Sequence, residues 1–133
     1  MLKLEIVTPE RRVLDETVES VTVPTASGEV GILTAHSPVV SALKPGILTY
    51  TVKGTSERLV VTGGFVEVSG DQVSVLTDTA ETAAEIDAGV VRAERDAAQK
   101  ELAAAASATI EENEPIRNRL DAANARLTLA AGR

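Results

Sequence analysis

Apolar and polar side chains alternate along the chain from its start to about residue 80. Leu2, Leu4 and Ile6 are separated by Lys3 and Glu5, and Leu48, Tyr50 and Val52 by Thr49 and Thr51. Val66 and Val68 flank Glu67, and Val73 and Val75 flank Ser74. A period of two puts one face of a strand in a core and the other in water. β-branched residues dominate these runs. Turn-forming residues punctuate them at Pro9, Ser27-Gly28, Pro45-Gly46, Lys53-Gly54, Gly63-Gly64 and Ser69-Gly70-Asp71. Short strands at this spacing predict a sandwich or barrel rather than a βαβ fold.

Past residue 80 the pattern changes. Thr82 to Thr109 is rich in Ala, Glu and Arg and holds one glycine, Gly89. Asp87 is placed to cap a helix whose Val90, Val91, Leu102 and alanines face a neighbour. A polar break follows at Glu111-Glu112-Asn113-Glu114-Pro115. Proline suits the first turn of a helix, which makes Asn113 or Glu114 the residue preceding it. Ile116, Leu120, Ala123, Leu127 and Ala130 then recur at helical spacing. The pattern predicts two antiparallel helices joined by a short loop. The chain is thus expected to divide at residues 1–84 and 85–133. Alanine buries little area at roughly 25 cal/mol per Å², so this hairpin is expected to be marginal alone. It should dock on the β half or on a partner, and exchange between them.

Composition narrows the function. Net charge is −7 over 133 residues, which argues against non-specific binding to nucleic acid or to an anionic membrane. There is no cysteine, hence no disulfide and no thiolate metal site. No apolar run approaches the roughly 20 residues that span a bilayer. Met1-Leu2-Lys3-Leu4-Glu5 leads straight into a strand pattern, so neither a signal nor a transit peptide is expected.

Catalytic chemistry is poorly provided for. His36 is the only histidine, which rules out two-histidine zinc motifs and leaves little for a nucleophilic triad. Gly28-Glu29-Val30-Gly31 lacks the spacing of a phosphate-binding loop. Gly63-Gly64 reads as a turn or a close packing point. Glu5, Glu19, Glu57 and Glu67 are scattered over surface-like positions and read as a solvated face. No catalytic residue, cofactor or metal is expected. Charge is distributed more tellingly. Residues 1–86 hold twelve acids against six bases, whereas residues 116–133 hold Arg117, Arg119, Arg126 and Arg133 against Asp121 alone. A basic helix on an acidic protein fits an acidic partner, or the protein's own acidic β half.

These readings support a binding or adaptor protein. A ligand-binding sandwich with a dimerising tail is an alternative, but Phe65 and Tyr50 are the only aromatics, too few for a carbohydrate or nucleobase platform. A small enzyme fits the residue inventory least.

Two blocks go further. Gly28-Glu29-Val30-Gly31-Ile32-Leu33, His36-Ser37-Pro38 and Leu43-Lys44-Pro45-Gly46 resemble the signature of the epsilon subunits of F-type ATP synthases. So do Gly63-Gly64-Phe65-Val66-Glu67-Val68 and Val73-Ser74-Val75-Leu76-Thr77-Asp78 with Ala80-Glu81. Val7-Thr8-Pro9 and Val21-Thr22-Val23-Pro24 fit as well, so the likeness runs through the chain in order. It implies a mainly β protein with α structure: an N-terminal sandwich of about ten strands followed by a C-terminal helical hairpin. It implies a non-catalytic subunit of the central stalk, bound to the gamma subunit and to the c-ring, that couples proton flow to ATP synthesis. Its tail would reach the alpha/beta catalytic head and restrain ATP hydrolysis. Membrane association would be indirect, on the cytoplasmic side of a bacterial plasma membrane or, alternatively, at a thylakoid.

By position in the motif, Glu29 would face polar loops of the c-ring, and His36 would contact rotor subunits. Arg117, Arg119 and Arg126 would carry the partner contacts of the tail. Thr34-Ala35 departs from the usual residues before the histidine. Some bacterial members bind ATP through an I/L-D-x-x-R-A motif and a later arginine pair. Here Val90 stands where the motif arginine would be, and Ala122 stands four residues before Arg126. Both departures count against nucleotide between the helices.

Overall fold

The structure is a computed structural model that describes residues 1–34 and 37–132. His36, expected to contact the rotor, and Arg133 lie outside the described residues. The elements are β1 (Leu2–Val7), β2 (Arg12–Val18), β3 (Ser20–Thr25), β4 (Gly28–Ile32), β5 (Val39–Ala42), β6 (Gly46–Val52), β7 (Thr55–Val61), β8 (Gly64–Ser69), β9 (Gln72–Thr77) and β10 (Ala80–Glu81). A 3₁₀ turn at Ala83–Glu85 leads to α1 (Ala88–Ala104) and α2 (Ile110–Ala131).

Ten strands form two five-stranded sheets, ordered β2-β1-β9-β8-β5 and β10-β7-β6-β3-β4. β1 runs parallel to β9, and the other pairings are antiparallel. The period-two residues do what their spacing requires. Leu2, Leu4, Ile6, Val66, Val68, Val73 and Val75 point inward from the first sheet. Val21, Val23, Leu48, Tyr50, Leu59 and Val61 meet them from the second. Burial between facing sheets is the main stabilising term of such a sandwich. Turn chemistry sets the register. Lys53 and Gly54 both have positive φ, at 51° and 76°, as a tight β6–β7 hairpin demands. At Gly64, φ is +107° and a Cβ would collide with the Leu76 carbonyl oxygen. The double glycine is therefore a close packing point, where β8 leaves its turn against β9.

Part of the second sheet, at β6 and β7, is covered on its outer face as well. Val60 points away from the sandwich core and packs with Ile86, Val91, Ala123 and Leu129. α2 lies along β6 and β7, with α1 stacked on it. Leu59-Val60-Val61 breaks the alternation with three apolar residues in a row, and that run signals a two-sided strand.

The start of α1 agrees with expectation and the start of α2 differs from it. Within the Thr82–Thr109 stretch the helix starts at Ala88, directly after the expected Asp87; before it Ala80-Glu81 extends the sheet and Ile86 stays extended with its side chain buried at the seam. Asp87 caps α1, accepting from the N–H groups of Gly89 (3.0 Å) and Val90 (3.2 Å). α2 begins at Ile110 rather than after Glu114, so Pro115 lies within the helix. Thr109 caps it by accepting from Glu112 N–H at 3.1 Å, and Glu111 and Glu112 stand in the positive first turn. Proline here removes one N–H, that which would bond to the Glu111 carbonyl, so the early cap outweighs it. Asn113 is buried and donates to the Ala105 carbonyl at 3.2 Å, tying the hairpin turn together.

Candidate partner interface

Glu29 lies on β4, the edge strand of the second sheet, opposite Pro24. Its carboxylate side is exposed. The turn before it is rigid. Buried Thr25 donates its hydroxyl to the Gly28 carbonyl at 2.6 Å and accepts from Ser27 N–H at 3.2 Å. The Lys44-Pro45-Gly46 turn lies alongside, and a cleft of about 290 Å³ between these turns and α2 is lined by Glu29, Lys44, Asp121 and Asn124 among others. Lys44 Nζ and Asp121 sit 3.6 Å apart across it.

The three described arginines of the second helix do not form one free basic face. Arg126 Nε donates to Glu81 Oε1 of β10 at 2.7 Å. Arg119 pairs with Glu101 of α1, and Arg117 donates to the Ile110 carbonyl of its own helix. With the hairpin docked, these charges are engaged inside the chain, and Arg126 meets the chain's own acidic β half. Sequence reading could not find this pair, since 45 residues separate its members.

Between the sandwich and the hairpin a cleft of about 460 Å³ is lined by Leu43, Thr62, Asp78, Glu94, Asn118, Arg119 and Arg126 among others. Asp78 and Glu94 put two carboxylates on its wall, and Arg126 is already committed to Glu81. Beside it, Asp87 is used as a helix cap, and Val90 presents an exposed apolar side chain. At the 3₁₀ turn before α1, the Thr82 backbone N–H and hydroxyl donate to Glu85 at 3.0 and 2.9 Å. These bonds hold the Glu85 carboxyl below the usual range, with Arg11 at 3.6 Å adding to the effect. Among the described residues, no three His, Cys, Asp or Glu side chains are placed to hold a metal.

One surface was missed by sequence reading. On the outer face of the first sheet, away from the helices, Leu76 and Phe65 are cross-strand neighbours, with Val7 beyond Leu76 and Ala42 beyond Phe65. Phe65 is 57% exposed, Leu76 49%, and Val40 on the same face 69%. The only phenylalanine of the chain thus faces outward. The available signal was in the alternation: Phe65 shares the phase of Glu67, not that of Val66 and Val68. A contiguous exposed apolar row on a soluble-type surface marks an interaction site.

Comparison with known proteins bears on the partner. Residues 1–83 match the family described as ATP synthase, delta/epsilon chain, beta-sandwich domain. The chain is 42% identical over 129 residues to an ATP synthase epsilon chain of Magnetococcus marinus, covering 97% of this chain and 93% of the relative. It is 50% identical over 94 residues to one of Carboxydothermus hydrogenoformans, covering 71% and 69%. Among solved structures it resembles a chain in the Euglena gracilis mitochondrial ATP synthase, OSCP/F1/c-ring assembly. That likeness has a TM-score of 0.78 and 26% identity, over 99% of this chain and 81% of the other.

Proposed function

The chain belongs to the epsilon subunits of F-type ATP synthases, non-catalytic subunits of the central stalk, and from that premise we propose that its sandwich bridges the gamma subunit and the c-ring while its helical hairpin is the movable, regulatory part. The observation that carries the reading is the outward apolar row. Phe65, Leu76, Val40 and Ala42 give the sandwich a flat hydrophobic face on the side the hairpin leaves open. Such a face suits a permanent partner such as gamma, since obligate interfaces are more apolar than transient ones. Glu29, on β4 just after the hydrogen-bonded Thr25–Gly28 turn, supports a polar contact to c-ring loops, and His36 would belong to the same contact. Residues 1–84 would then be the anchor and residues 85–133 the regulator.

In this role the protein carries no reaction itself. It transmits torque and position, so that proton translocation in the ring is coupled to ATP synthesis on the catalytic head. The basic residues Arg117, Arg119 and Arg126 become available to acidic surface on that head once the hairpin extends. The subunit would be peripheral, on the cytoplasmic side of a bacterial plasma membrane or, alternatively, at a thylakoid. No described helix is long and apolar enough to cross a membrane.

The test is co-purification with gamma. Phe65→Asp combined with Leu76→Asp should weaken gamma binding by at least about tenfold, since anchors at an interface centre dominate its energy. Both side chains are exposed, so the isolated subunit should keep its thermal stability. Undiminished gamma binding by the double variant would refute the assignment of this face.

A further inference from the structure

The docked hairpin is held by little apolar surface. Among the described residues α2 makes the main contact along the sheet; the buried residues of the seam are Val60, Ile86, Val91, Ala123 and Leu129, with Ile47, Leu127 and three alanines partly buried against them. The seam also carries the 460 Å³ cleft, which leaves part of the helical pair without a packing partner. Against this weak background one polar contact differs from the rest. The Glu81 and Arg126 side chains are only 27% and 18% exposed, and their 2.7 Å hydrogen bond is charge-assisted. Each other ion pair among the described residues has a partner more than half exposed. Such surface pairs contribute little.

Both members of the pair are held by structure. Glu81 lies on β10, hydrogen-bonded in register with Val60 of β7, so the sheet fixes its position. Arg126 falls between Ala123 and Leu129, three residues from each, on the face of α2 that meets the sandwich. Docking therefore always brings this guanidinium into the seam.

We propose that the Glu81–Arg126 ion pair is the latch that sets how readily the hairpin leaves the sandwich. The proposal rests on the reading above that the hairpin is movable. With both partners present, docking satisfies two partly desolvated charges at once. With Glu81 neutralised, docking would leave the Arg126 charge in the seam without its partner, whereas the released hairpin returns it to water. Loss of one partner therefore weakens the docked state relative to the released one. Release of the latch also frees the one described arginine of α2 that is bound to the sandwich.

The experiment uses the full chain and its lack of cysteine. Val60→Cys places a thiol under α2, and Val75→Cys places one inside the sandwich; both positions are fully buried. The rate of thiol modification at residue 60 reports release of the hairpin, and the rate at residue 75 reports opening of the whole sandwich. Glu81→Gln should speed modification at residue 60 about tenfold and leave residue 75 unchanged. The charge swap Glu81→Arg with Arg126→Glu should restore most of the slow rate. Leu129→Ala loosens the seam without touching the latch and serves as the reference. If it speeds residue 60 while Glu81→Gln does not, the latch is wrong and the movable hairpin stands. If residues 60 and 75 react together in every variant, the hairpin does not leave as a unit, and both readings fall.

Discussion

A methyl group on Gly64 has nowhere to go: the Leu76 carbonyl occupies the place, and the φ of +107° is strained for any side chain. Gly64→Ala should therefore destabilise the protein by about 3 kcal/mol, read as a lower denaturation midpoint, because backbone on both sides must move. Beside it Phe65 is turned outward by strand phase alone, and this pairs a residue that tolerates no change with one that is free to serve a partner. Asn113 and Arg126 illustrate the opposite case. Each is a polar residue drawn into a seam by a contact its neighbours in sequence do not announce, Asn113 to the Ala105 carbonyl and Arg126 to Glu81.

Among the elements, α2 departs most from a simple reading of its residues. Proline normally marks a helix start, and Pro115 invites a start after Glu114. The helix begins earlier because Thr109 supplies a side-chain cap and the hairpin turn uses Asn113 as a tie. The first turn is thereby formed against a local preference. Pro115→Ala restores one N–H and removes the ring, and should stabilise α2 by about 1–2 kcal/mol. Residue-resolved hydrogen exchange checks this: amides of α2 should exchange more slowly in the variant, and unchanged rates would show that the proline costs the helix nothing. β7 gives the complementary lesson. Its Leu59-Val60-Val61 run is apolar on both sides because the sandwich core takes one face and the hairpin the other.

For the molecule as a whole, the two sheets divide the work. The first offers an open apolar face, while the second carries the hairpin. If gamma binds the first sheet, as proposed, partner binding and tail docking do not compete for one surface. If the tail restrains hydrolysis, deleting residues 87–133 should raise ATP hydrolysis by the assembled enzyme and leave co-purification with gamma intact. Charge reversal at Arg117, Arg119 and Arg126 together should mimic the deletion, with an effect that weakens at high salt. Hydrolysis equal to that of the intact complex would count against an inhibitory tail. With the hairpin docked, Arg117, Arg119 and Arg126 are each engaged within the chain, so the proposed contact to the head requires the hairpin to leave the sandwich.

The amino-acid sequence by itself determined a β half of sandwich or barrel type, since period-two burial excludes a βαβ fold, and the motif resemblance chose the sandwich; it also determined that helices follow, since the repeat changes after residue 80. The Asp87 cap and the motif blocks around Glu29 and Phe65 were also legible, because each is a short-range pattern. Tertiary structure alone decided which sheet receives the hairpin, where α2 begins, and what Arg126 touches. The physical reason is range. Alternation says that a face is buried but not by what, and a charge pair joined across 45 residues leaves no local trace. The division of the chain into a β half and a helical tail follows from local periodicity; the face that holds them together, with its apolar cluster and a partly buried ion pair, exists only after folding.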